Sequence, residues 1–328
     1  MKKILGILIV LLLITVTACD DGEMTVKTFN FTGEVAPCGT VANLYIKNSG
    51  TEVLLMDLST HPLLNIASEL DESGVPIPAV VNLPAGAVIY RNYSANASAS
   101  VVCSNIDNPA IYVMEEWKGS GTIEIITTKL DVPETTGLIQ YSHSITFLDV
   151  SLTKGDETIR IQNTDYGSVE TSLSFEFRFA SGDEVNPTQL TACGDFLYDT
   201  AGNEALLLNF ADNTISNTVD ETIINLDAAT NYLTLKVYTG TVTGISTICT
   251  GNPSLTPTEK ERWVAATGRV KIKKIVDSSN VPHYDIYLYD DIRFYNITTS
   301  AVALENFTPE PTDADADGDY YYLGQYTP

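Results

Sequence analysis

The densest run of potential ligands in this chain is Asp313-Ala314-Asp315-Ala316-Asp317-Gly318-Asp319. Oxygens at positions 1, 3 and 5 followed by Gly at position 6 match the first half of a calcium loop, where carboxylates hold the ion and Gly makes the sharp turn. Asp313, Asp315, Asp317 and Asp319 are therefore the candidate metal ligands. Position 12 is Gly324 instead of a bidentate Glu, and prolines and tyrosines flank the run in place of helices. An acidic tail that holds no metal is the competing reading. The three histidines, His61, His143 and His283, are too far apart in sequence for a His-based zinc motif. There is no Gly-x-Ser-x-Gly elbow, no His-Glu-x-x-His and no phosphate-cradling loop. Acidic pairs such as Asp290-Asp291 leave room for a glycosidase built on two facing carboxylates, but no catalytic residue is nominated. Tyr284, Tyr287, Tyr289 and Tyr295 cluster, as do Tyr320, Tyr321 and Tyr322. Tyrosine rings stack on sugars and are equally favoured in strands.

The N-terminus carries chemistry of another kind. Lys2 and Lys3 precede an apolar run from Ile4 to Ala18, which is shorter than the roughly 20 residues a spanning helix requires. Small residues and then Asp20 and Asp21 follow, the layout of a cleaved secretion signal. Val16-Thr17-Ala18-Cys19 resembles the lipobox of bacterial lipoproteins. The resemblance implies cleavage before Cys19 and acylation of its thiol and new amine; two or three acyl chains hold a protein on a bilayer where one holds weakly. Cys19-Asp20-Asp21-Gly22-Glu23 further resembles the acidic stretch of surface-exported lipoproteins of Bacteroidetes-type bacteria. That implies an outer-membrane location facing the exterior, with the periplasmic face as the alternative.

The chain has 42 acidic and 18 basic residues and a formal charge of −24; loss of residues 1–18, which contain Lys2 and Lys3 and no acid, takes it to −26. Such a surface repels phosphate backbones, so nucleic acid is excluded as a partner class. The membrane, through the N-terminal lipid, and a glycan or an envelope protein remain.

Four cysteines are left after Cys19, an even number suited to disulfides in an oxidising compartment. An internal repeat selects their pairing. Cys103 precedes Trp117 by 14 residues and Cys249 precedes Trp263 by 14, and these are the two tryptophans of the chain. Around them, Glu115-Glu116-Trp117 with Gly121 matches Glu261-Arg262-Trp263 with Gly268. Upstream, Cys38-Gly39 and Glu52 to Leu58 match Cys193-Gly194 and Glu204 to Phe210. Downstream, Asp149-Val150 matches Asp291-Ile292. One pair per copy gives Cys38–Cys103 and Cys193–Cys249.

Period-two alternation, as in Leu173-Ser174-Phe175-Glu176-Phe177-Arg178-Phe179 and Leu233-Thr234-Leu235-Lys236-Val237, predicts strands with one buried face. The expected fold is all-β: two tandem related β-sandwich domains, Ig-like in general architecture, each with one short helix. Thr256-Pro257-Thr258-Glu259 fits a capping box and predicts a helix to about Ala266, with Ile111 to Trp117 as its shorter counterpart. The expected organisation is a signal at 1–18, a tether at 19–25, repeats at 26–168 and 169–307, and an acidic tail at 308–328. The function expected from the sequence is a non-enzymatic binding, adhesion or assembly subunit of the cell envelope. The alternatives are a carbohydrate-active enzyme with a carboxylate pair and a glycan-binding accessory protein of a nutrient-uptake system.

Overall fold

The structure, a computed structural model, describes residues 31–328 except 32, 40, 105–109, 132–136, 180–185, 243–247, 250–255, 299–305, 311 and 316–317, and within 313–319 only backbone. The signal segment, Cys19 and the tether lie outside the described residues.

The first repeat is one antiparallel sheet whose seven strands lie side by side in chain order. They are β1 (Val35–Pro37), β2 (Leu44–Ser49), β3 (Glu52–Asp57), β4 (Ala79–Tyr93), β5 (Val113–Lys129), β6 (Gln140–Lys154) and β7 (Glu157–Ser172). Alternation gives each long strand one buried face: along β6, Tyr141, His143, Ile145 and Phe147 point inward between more exposed neighbours. Register breaks in β4 between Leu83 and Val88, and in the β5–β6 pair at Thr122/Ile123, bend the sheet. It curls until β2 meets β7: Lys47 Nζ donates to the Tyr166 carbonyl at 2.7 Å, and the Tyr166 hydroxyl donates to the Tyr45 carbonyl at 3.2 Å. The half-barrel encloses Met56, Tyr90, Trp117, Ile123 and Phe147.

The second repeat divides the same plan between two sheets. The larger contains β8 (Thr191–Cys193), β9 (Phe196–Ala201), β10 (Glu204–Asn209), β12 (Tyr232–Tyr238), β13 (Glu259–Ala265), β16 (Phe294–Asn296) and β17 (Asn306–Phe307), adjacent in that order. The smaller contains β11 (Glu221–Asn225), β14 (Arg269–Val276), β15 (Pro282–Tyr289), β19 (Gly318–Tyr326) and β18 (Asp313–Asp315). Leu206, Leu235 and Trp263 from one sheet share a core with Val270, Ile286 and Leu323 from the other.

Register aligns the copies strand by strand. Each long strand of the first repeat corresponds to two short ones: β4 to β11 and β12, β5 to β13 and β14, β6 to β15 and β16, β7 to β17 and β19. Trp117 faces Tyr90 as Trp263 faces Leu235. Ile145 faces Gly167 just before a bulge, as Ile286 faces Gly324 just before a bulge. Each Trp indole N–H donates to the Glu two residues earlier, Glu115 at 3.0 Å and Glu261 at 3.2 Å. The expected Ig-like pair is thus not the arrangement of the first copy. Its long strands, bent at bulges, belong to one sheet where the second copy has two, and consecutive strands pair without a crossover.

Both disulfides pair as the repeat implies, with Cα separations of 5.5 Å for Cys38–Cys103 and 5.7 Å for Cys193–Cys249. Each pins a connection over the outer face of its sheet and completes a small second core. In the first copy this holds Ile46, Val53, Leu55, Tyr93 and Val102; in the second, Tyr198, Ala205, Leu207, Tyr238 and Ile248. The short helix α1 (Ala99–Cys103) lies on this connection, and residues 248–249 are helical at the matching place.

Three local expectations are corrected. Residues 259–265 form β13 instead of a helix, because pairing with β12 and β16 satisfies their backbone and buries Trp263 and Ala265 on one face. For the same reason Val113 to Trp117 belongs to β5. The segment 308–328, expected as a tail, supplies β18 and β19, and Tyr320 to Leu323 are buried. The alternating run Leu173–Phe179 is in no ladder. It leads from β7 into the second core, with Leu173, Phe175, Phe177 and Phe179 all buried and Phe177 at φ +56°.

Candidate ligand pocket

The two copies differ in the connection after their third strand. In the first, residues 58–78 join β3 to β4; in the second, residues 210–220 join β10 to β11. The longer connection folds inward. Leu58 and Leu63 enter the half-barrel core. The Thr127 N–H donates to Ser68 Oγ at 3.0 Å, and the Thr171 hydroxyl donates to Asn65 Oδ1. Beneath it His143 has no exposed surface, and its two ring nitrogens meet Thr127 Oγ1 at 2.9 Å and Thr171 Oγ1 at 2.8 Å. Burial pushes the imidazole pKa down to about 4, so the ring is neutral at pH 7.

The shorter connection leaves the corresponding place in the second copy open. By register Tyr284 stands where His143 stands, and Tyr326 where Val169 stands. Together with Phe196, Phe210 and Ile215 they line a pocket of about 570 Å³, within the usual range for small-ligand sites. Tyr284, one of the lining residues, is almost wholly buried. Phe210, Ile215 and Tyr326 are half-buried walls packed against the main core. Asp195, Asp212, Asn213 and Ser216 add polar groups. The wall 211–218 is held by its own turns. The Thr214 hydroxyl donates to the Ala211 carbonyl at 2.6 Å, the Asn217 N–H to the Asn213 carbonyl at 2.9 Å, and the Ala211 N–H to Asn231 Oδ1 at 3.0 Å. With its backbone so tied, the wall needs no ligand to take its shape.

Two other acids, buried Glu204 and half-buried Asp199, flank the second core. Glu204, 3 % exposed, accepts from the backbone N–H of Glu176 at 2.9 Å and of Phe177 at 3.0 Å, which fixes the left-handed turn at Phe177. Burial outweighs those two donors and raises its pKa to about 7. Asp199, in the register position of Lys47, is raised by burial to about 6. Both Glu204 oxygens are engaged in holding the chain.

The residues nominated from sequence fall in different places. The four half-cystines are joined in pairs, one on each copy. Cys19 lies outside the described residues, as do Asp317 and the side chains of Asp313, Asp315 and Asp319; the backbone of 313–315 and 318–320 forms the β18–β19 hairpin. Of the tyrosines, Tyr287, Tyr289, Tyr320 and Tyr322 form a buried cluster, with Lys271 Nζ 3.6 Å from the Tyr320 ring centre. That cluster is packing between strands. Tyr284 alone of the nominated tyrosines lines the pocket. Phe196, Phe210, Ile215 and Tyr326 carried no signal in the sequence beyond the shortened connection.

Compared with known proteins, the chain matches no family model, no curated protein and no solved structure.

Proposed function

We propose that this chain is a cell-envelope lipoprotein, held in the outer membrane by acylated Cys19 and facing the exterior, that serves as a non-enzymatic binding, adhesion or assembly subunit. The observation that carries the proposal is Val16-Thr17-Ala18-Cys19 behind a short apolar signal. Two disulfides agree with an oxidising compartment. We read the two repeats as one sandwich-type module used twice, the first copy with its layers joined into a single curled sheet. The pocket of the second copy favours the binding role, including that of a glycan-binding accessory protein, over a purely structural one.

Fractionation of cells expressing Cys19→Ala tests the anchor. The variant is expected to leave the membrane fraction; full retention there refutes lipid anchoring. Protease added to intact cells tests orientation: digestion supports the outward face, and survival until the outer membrane is broken refutes it in favour of the periplasmic face.

A further inference from the structure

The first repeat shows what fills the inner end of this module. Its long connection inserts apolar Leu58 and Leu63 against the core and places the amide of Asn65 and the hydroxyl of Ser68 on partners at the edge. The filling therefore has an apolar body and a polar border. In the second repeat the same end is a preformed space of about 570 Å³ with a matching division. Its lining includes the half-buried aromatics Phe210 and Tyr326 beside the buried Tyr284, and its border carries Asp212 and Asn213, both exposed, together with Ser216.

We propose that this pocket is a carbohydrate-binding site, open in the second repeat and filled by the chain itself in the first. A sugar ring has the required division: a face of C–H groups that packs on aromatic rings, and a circumference of hydroxyls that donate to carboxylates and carbonyls. Asp195 and Asp212 make no hydrogen bond or ion pair among the described residues, so their oxygens are available to accept such donors. The same two carboxylates, on a chain of formal charge −24, select against sialylated, sulfated or uronic-acid sugars and for neutral or amino sugars. The pocket then performs recognition at one end of the second repeat, opposite in character to the sealed end of the first.

This inference rests on the binding role proposed above and is separable from the anchor. The test is a glycan array probed with the purified full chain, carrying neutral, amino and anionic saccharides, followed by titration of the best binder. Binding of neutral or amino saccharides is expected. Tyr326→Ala and the exposed-border variant Asp212→Ala are each expected to weaken it by about tenfold or more. Leu70→Ala, on the exposed surface of the first repeat, should leave it unchanged. Equal melting temperatures for Asp212→Ala and the parent chain separate lost binding from lost folding. An array silent for all saccharides, binding confined to anionic ones, or binding indifferent to both Tyr326 and Asp212 overturns the carbohydrate assignment. Any of these results leaves the Cys19→Ala outcome, and with it the lipoprotein reading, to stand or fall separately.

Discussion

His143 makes the first repeat sensitive to acid in a calculable way. The imidazole titrates near pH 6.5 when unfolded and near 4 when folded. Above pH 6.5 it is neutral in both states and contributes no pH dependence. As pH falls through 6.5 the unfolded chain takes up a proton that the folded chain refuses, so stability declines until the folded ring also titrates near pH 4. The linkage relation gives a loss of about 2 kcal/mol at pH 5 and about 3 kcal/mol at pH 4. Urea unfolding, followed by the fluorescence of Trp117 and Trp263, measures this between pH 7 and 4. Comparing the parent chain with His143→Gln isolates the effect, because Gln can bond to Thr127 and Thr171 but does not titrate. The parent should lose about 2–3 kcal/mol more than the variant over that interval. Parallel pH profiles for the two proteins would refute the assignment of a neutral, desolvated His143.

Glu204 should act with the opposite sign. Its folded pKa lies above its unfolded value, so its contribution is fully present below about pH 4.5 and is lost as pH rises from there through about 7; Glu204→Gln is expected to flatten the decline of melting temperature between about pH 4.5 and 7. A Cβ at Gly121 would lie 2.1 Å from the Asp149 carbonyl oxygen. Gly121→Ala should therefore lower stability by about 3 kcal/mol or more in urea unfolding, whereas Gly155→Ala, in open space at φ +61°, should cost about 1 kcal/mol. Replacing both cysteines of either disulfide by Ser should destabilise that repeat by about 4 kcal/mol, since the bridges span 65 and 56 residues; calorimetry of the two double variants checks it.

The disulfide pairing was legible because a Trp fixed 14 residues after a Cys, twice, is a rare coincidence that assigns one cysteine pair to each stretch. The division into one curled sheet and two separate sheets was not legible. Pro84-Ala85-Gly86 sits within β4 and reads as a turn between strands, and only the cross-strand register shows that the strand resumes its pairing at Val88. The helix assigned to 256–266 rested on a local capping pattern, and non-local pairing with β12 and β16 overrode it. Aspartates at 313–319 hid the strand formed by Tyr320 to Leu323, since composition reports the average of a segment and not the half that packs. The pocket was invisible for a related reason. It arises from a difference in length between two equivalent connections, and equivalence appears only once the strands are aligned.

The passage from β7 into Leu173–Phe179 has a mechanical consequence. Four side chains of this segment, with Ile139 and Tyr141 from the first repeat, are built into the second repeat's core. A polar linker would let the second repeat swing through a wide cone about the first. Here the joint is packed with apolar side chains, and swinging the second repeat away would expose them to water. A change of angle between the repeats therefore carries a hydrophobic cost that a polar linker would not impose.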